Sequence, residues 1–262
     1  MTATATNLTP AATGPGLLGF GPFLRKELSE WWQRRAILAT FGAVTILGVI
    51  GTLATRIDEL LTGLAPEAAQ LDPTVNVLGA QFDQWIQFAA IFASIGLLIQ
   101  ERTTGTLAWT LSKPISRSSL LLVKWLVAVV MLTLFGLVLP LAVSVGLATW
   151  AYGSTPDLGR VATLGGVLIA LPAFYVAFNL ALSTRLNSQA GVAAIGAGVA
   201  MVPLLFGGFL PVLAELWPTS MSSVAMAMAG GEEAHLPTIL SWAVVVIGLG
   251  IAGLVIFQRE DL

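Results

Sequence analysis

The chain has 262 residues, 56% of them hydrophobic and 10% charged, with a mean hydropathy of +0.87; soluble domains carry about 25% charged residues, so a soluble globular domain is excluded. Lys+Arg 12 against Asp+Glu 14 gives a formal charge of -2, which leaves no basic surplus for a nucleic-acid backbone. With no Cys at all, disulfides, thiolate metal sites, thioether haem attachment and Cys nucleophiles are excluded together.

Residues 1–19 are rich in Thr, Ala, Gly and Pro, uncharged, and without the basic stretch and small-residue cleavage site of a signal peptide. They are expected to form a flexible cytoplasmic tail ahead of a single transmembrane domain over residues 20–262. In that domain Phe20, Phe23, Leu24, Leu28 and Trp31 recur at helical spacing, while Arg25, Lys26, Ser29, Glu30, Gln33 and Arg34 take the other face. This pattern predicts an amphipathic helix lying on the inner leaflet.

A hydrocarbon core about 30 Å thick needs ~20 apolar helical residues with every backbone amide paired. Five charge-free runs meet that need: 36–55, 125–150, 161–184, 190–212 and 236–257. A sixth, 84–100, is thinned by Asp83 at its start and Gln87 inside it, with Trp85 at the interfacial position. Six crossings put both termini on one side. Arg25, Lys26, Arg34, Arg35, Arg102, Lys113, Arg117, Lys124, Arg185 and Arg259 then share that side, against only Arg56 and Arg160 opposite. The positive-inside rule accordingly predicts cytoplasmic termini in the cell membrane.

Reactive groups are scarce. The single histidine, His235, sits beside Glu232 and Glu233 and could pair with Ser222 or Ser223, but neither a GxSxG elbow nor an HExxH helix accompanies it. A structural or solvated interfacial role is expected. Met221, Met226 and Met228 cluster nearby; thioethers are soft Cu(I) ligands, yet without Cys or a second His they read as apolar filler. Polar Gln87 and Asn179 interrupt the spans, where they can line a route or hydrogen-bond between helices. No lysine follows a Gly-rich turn, so any ATP-driven work must be powered by another polypeptide.

The most informative stretch follows the second run: Glu101-Arg102-Thr103-Thr104-Gly105-Thr106-Leu107-Ala108-Trp109-Thr110-Leu111-Ser112-Lys113-Pro114-Ile115-Ser116-Arg117. Gly105 permits a turn, Thr106 to Leu111 can form a short helix, and Pro114 ends it before a new helix near Ser116. Leu107, Trp109 and Leu111 are too apolar for a free loop; they either pack on the protein's own spans or dock into a partner. Glu101 and Arg102 are placed to orient the loop by ion pairs, or to snorkel as interfacial charges.

These residues resemble the permease subunits of ABC-2-type ABC transporters, whose loop after the second span reads E-x-x-x-G-T-L and then L-x-x-P-I-S-R, matched here from Glu101 to Arg117. Phe23, Lys26 and Glu27 are similar to the family's N-terminal helix, 179–190 to its second cytoplasmic loop, 216–220 to its extracellular re-entrant segment, and 257–261 to its C-terminus. The resemblance implies an all-α membrane protein with the ABC-2 (type V) exporter fold: six transmembrane helices, an interfacial helix and a cytoplasmic coupling helix. It implies two associated permeases, each with a cytoplasmic ATPase that holds ATP and Mg2+, and export of substrate outward, with Glu101, Arg102, Gly105, Thr106, Leu107, Trp109, Leu111, Pro114 and Arg117 at the coupling site. The subtype resembling the permeases of nitrous oxide reductase maturation, which work with a periplasmic enzyme, has the Met cluster as its one local hint. The alternatives are an assembly subunit without transport and an intramembrane enzyme using His235.

Overall fold

The computed structural model describes residues 19–33, 35–62, 73–113, 115–206 and 209–259. The expected tail, apart from Gly19, therefore lies outside the described residues, as do Arg34, Glu67, Asp72, Pro114, Glu260 and Asp261.

The described residues fold into helices throughout. The chain begins with α1 (Phe20–Gln33) and α2 (Arg35–Thr62). The next hairpin arm is α3 (Pro73–Ser94), continued past a one-residue break by α4 (Gly96–Thr103) and followed by the short α5 (Thr106–Leu111). Next come α6 (Arg117–Leu132), a π-helical turn at Thr133–Val138, and α7 (Leu139–Tyr152), which together make one 36-residue rod. Then follow α8 (Leu158–Leu168), α9 (Ala170–Ser183), α10 (Gln189–Phe206), α11 (Pro211–Leu216), α12 (Met221–Ala229) and α13 (Leu236–Gln258).

Among the described residues, five stretches are long and apolar enough to cross a membrane: Ala39–Asp58, Phe82–Thr103, Arg117–Tyr152, Leu158–Ser183 and Leu236–Gln258. The run that looked thinnest, around Asp83 and Gln87, is one of them, because the helix starts at Pro73 and continues through α4. The run 190–212 is shorter than expected. Its apolar helix extends over Gln189–Pro203, α10 ends at Phe206, and a separate helix begins at Pro211. Pro203 removes a backbone donor near its end, and the Gly207–Gly208 pair that follows is poor helix-forming sequence, neither of which a hydropathy window registers.

At ~1.5 Å per residue, the 36-residue rod is roughly 54 Å long, well beyond a hydrocarbon core of about 30 Å. Its π turn sits just ahead of Pro140, whose missing N–H leaves the Gly136 carbonyl without the usual donor.

Lipid gives apolar helices no reason to prefer each other, so close backbone approach and interhelical hydrogen bonds must hold the bundle. A Cβ at Gly253 would lie 3.3 Å from the Ala181 Cα, so α13 sits directly on α9. The indoles of Trp125 and Trp242 donate to the carbonyls of Ala173 and Ala170, both at 3.0 Å, pinning α6 and α13 to the start of α9. Two buried clusters result. One, around Leu107, Val123, Phe174 and Phe257, lies toward the end bearing α1 and α5, called here the terminal face; the other, around Val44, Phe82, Leu164 and Met221, lies toward the opposite face.

Candidate functional site

The terminal face is organised by a buried ion cluster. Lys124 Nζ lies 2.8 Å from Glu27 Oε1 and 2.8 Å from Glu101 Oε1. Lys124 and Glu27 are fully buried and Glu101 nearly so. Three segments meet there: α1 through Glu27, α4 through Glu101, and α6 through Lys124. Lys124 thus lies within a transmembrane rod and is not a flanking surface cation.

The helix α1 packs against α6 with Phe23, Glu27 and Trp31 inward, while Leu28, expected on the apolar face, is 37% exposed. Glu27 occupies the i+4 position between two buried aromatics, and its burial is tolerable only because Lys124 is there. Among the described residues the second oxygens, Glu27 Oε2 and Glu101 Oε2, have no hydrogen-bond partner. Two carboxylates facing one ammonium leave a formal surplus of one negative charge. The carboxylate of Glu30 is drawn into the same group, with ligand atoms of Glu27, Glu30 and Glu101 within 4.8 Å of one another, and Lys26 pairs with Glu30 at 3.1 Å.

The segment after Glu101 reverses at Gly105, which has a φ of 72° in the left-handed region. The side chain of Thr106 donates to the Glu101 carbonyl at 3.2 Å and that of Thr104 to the Gln100 carbonyl at 2.8 Å, satisfying acceptors that the end of α4 leaves open. A Cβ at Gly105 would meet nothing within 4 Å. Gly105→Ala is therefore expected to cost about 1–2 kcal/mol from backbone conformation alone, read as a lowered melting midpoint in detergent without loss of expression.

The expected short helix is present over Thr106–Leu111, and its apolar residues divide. Leu107 is 1% exposed inside the protein's own core and Leu111 packs against that core, so these two face inward. Trp109 is 60% exposed, with Lys113 Nζ 3.5 Å above its ring centre. Pro114, named with these residues in the sequence, lies outside the described residues.

Both arginines reach distant parts of the chain. Arg102 Nη1 donates to Asn187 Oδ1 at 2.9 Å, tying α4 to the connection between α9 and α10. Arg117 Nη1 donates to the carbonyls of Phe257 and Gln258 at 2.7 and 2.9 Å, so a cation closes the C-terminal end of α13. The junction from Glu101 to Lys124 thereby touches α1, α9, the connection from α9 to α10, and α13. A cavity of about 640 Å³ opens beside it, lined in part by Lys26, Glu30, Gln100, Glu101, Trp109 and Gln189.

Other residues singled out in the sequence lie apart. The Gln87 and Asn179 side chains bridge α3 and α9: Gln87 Oε1 accepts from the Tyr175 hydroxyl at 2.9 Å, and Asn179 Nδ2 donates to the Ile91 carbonyl and Ser94 Oγ at 3.0 and 2.7 Å. His235 Nδ1 is 2.7 Å from Thr238 Oγ1, whereas Ser222 and Ser223 donate to the Thr219 and Ser220 carbonyls. The structure does not hydrogen-bond His235 to either serine. Met221 is buried in the second core and Met226 packs against it, where both serve as apolar filler. Sequence reasoning missed Glu27 and Lys124 as a pair. The legible signal was a lone lysine in the apolar run Leu120–Val130 and a glutamate between Phe23 and Trp31.

A family model described as ABC-2 family transporter protein matches residues 22–234, most of the chain and all of this junction. The chain belongs to that family. No curated protein matches it by sequence. As an ABC-2 permease it is a multi-pass membrane protein and the membrane component of an ABC transporter, and the family implies partnership with an ABC ATPase subunit. The match ends before α13, the helix whose end Arg117 holds.

Proposed function

We propose that this permease is one half of an ATP-driven exporter: a chain crossing the cell membrane six times, with the terminal face in the cytoplasm, a separate ATPase docked against α5, and a second copy of the permease beside it. The observation that carries this reading is Trp109, a large apolar side chain exposed on a short helix that is otherwise anchored inward. Aromatic anchors on a rigid base are the usual centres of protein interfaces.

In this reading the ATPase moves α5, and α5 cannot move alone. Leu107 embeds it in the core, and five residues upstream of Thr106 the carboxylate of Glu101 is held by Lys124. Displacement of α5 would therefore draw α1 and α6 with it, and through Arg102 and Arg117 the ends of α9 and α13. ATP and Mg2+ belong to the partner. Copper or sulfur delivery, as in the nitrous oxide reductase maturation subtype, gains no support from Met221 and Met226, which are used in packing.

The test is co-purification from native membranes in mild detergent. Wild-type permease should bring down an ABC ATPase. Trp109→Asp should reduce its recovery about tenfold or more while shifting the melting midpoint by no more than an exposed substitution does, about 0.5 kcal/mol. A wild-type preparation containing no nucleotide-binding subunit would refute the reading.

A further inference from the structure

Toward the face opposite the ion cluster, α3 carries another charged group. Asp83 lies 18 residues before Glu101, roughly 27 Å along a helix axis. Gln87 Nε2 donates to Asp83 Oδ1 at 2.6 Å, and the Ser222 hydroxyl, which donates to the Thr219 carbonyl, lies near the carboxylate. Among the described residues these neutral groups are its polar neighbours, and no cationic side chain pairs with it. Gln87 is itself aimed by the Tyr175 hydroxyl, so the Asp83 contact is preset.

Asp83 borders a pocket of about 370 Å³ between α3, the end of α10 and the turn leading into α12. A second observation lies in the same wall: Thr219 lines the pocket, is 2% exposed, and its buried Oγ1 has no hydrogen-bond partner among the described residues. Buried polar atoms are rarely left unsatisfied without a reason. The remaining wall is mixed, with Gln84, Ser220, Ser222 and Ser223 on its polar part and Phe88 and Met201 on its apolar part.

A half-buried carboxylate at the edge of an apolar span gains from a countercharge, and the chain supplies none among the described residues. A bare metal ion would use the oxygens but leave Phe88, Met201 and most of the volume uncovered, whereas pockets of this size suit small organic ligands. We propose that this pocket binds an organic ammonium ion, with N–H groups donating to Asp83 and Thr219 and an apolar body against Phe88 and Met201. The inference rests on the permease reading in that the bound amine is its cargo class, but binding itself requires neither ATP nor a partner.

The test uses the full-length permease in nanodiscs of zwitterionic lipid with radiolabelled 2-phenylethylammonium as probe and 2-phenylethanol as its neutral counterpart. Saturable binding is expected, displaced by unlabelled amine and not by the alcohol. Asp83→Asn should weaken it roughly tenfold or more, the effect of losing a hydrogen bond to a charged group. Ser223→Leu, which fills the pocket from an exposed position and keeps the carboxylate, should weaken it similarly with an unchanged melting midpoint. Absent saturable binding, equal displacement by the alcohol, or wild-type affinity in either variant overturns the proposal. Amine binding without ATP-driven flux would leave it standing and defeat the exporter reading; flux of other cargo without amine binding would do the reverse.

Discussion

Lys124→Met is expected to destabilise the purified permease by about 3–5 kcal/mol, the range for breaking a buried ion pair from one side. Methionine keeps the length of the stem and removes the ammonium, so Glu27 and Glu101 are left buried with like charges and no donor. Glu27→Gln or Glu101→Gln should cost less, since each leaves Lys124 one carboxylate and removes the surplus negative charge. The triple change Glu27→Gln, Glu101→Gln, Lys124→Met should recover much of the loss, because an apolar or neutral replacement of a whole buried cluster is often close to neutral. Denaturation in mixed micelles checks the ordering. A Lys124→Met midpoint within about 0.5 kcal/mol of wild type would show that the cluster is hydrated and not a structural lock. The triple variant also separates roles: if it folds but its ATPase partner no longer responds to transport, the cluster serves transmission more than stability.

Leu107→Asp is expected to be nearly as severe, and its neighbour Trp109→Asp nearly silent for folding. Burying a leucine side chain contributes about 1.5–3 kcal/mol, and the carboxyl that replaces it at a site 1% exposed has no partner waiting. The sum places Leu107→Asp in the exceptional class above about 4 kcal/mol, seen as loss of folded protein on size-exclusion chromatography. Two positions along the same short helix, the exposed Trp109 tolerates a charge. A folded Leu107→Asp variant that merely sheds its ATPase would reverse this assignment and make Leu107 a docking residue.

How much could be read beforehand differs along the chain. The short helix at 106–111, the turn at Gly105 and the family loop from Glu101 to Arg117 were legible because each depends on local chemistry. Which apolar residue of that helix faces out was not. Alternation in a six-residue helix gives no stable face, and the decision lay with the core that Leu107 enters. The second span looked weak because Asp83 and Gln87 count against hydropathy, whereas the two bond each other and Tyr175, 88 residues away from Gln87, donates to Gln87. The fifth run looked strong because hydropathy counts side chains and ignores the backbone around Pro203.

By itself the sequence determined that the chain is a helical membrane protein of the ABC-2 kind, since apolar length and a contiguous motif are properties of neighbouring residues. Only the tertiary structure decided what its few charges do. Lys124 belongs to Glu27, 97 residues away, and to Glu101, 23 residues away. Arg117 belongs to the end of the last helix, 140 residues on. A charge in an apolar surround is costly until a partner is found, and the fold alone determines which partner is within reach.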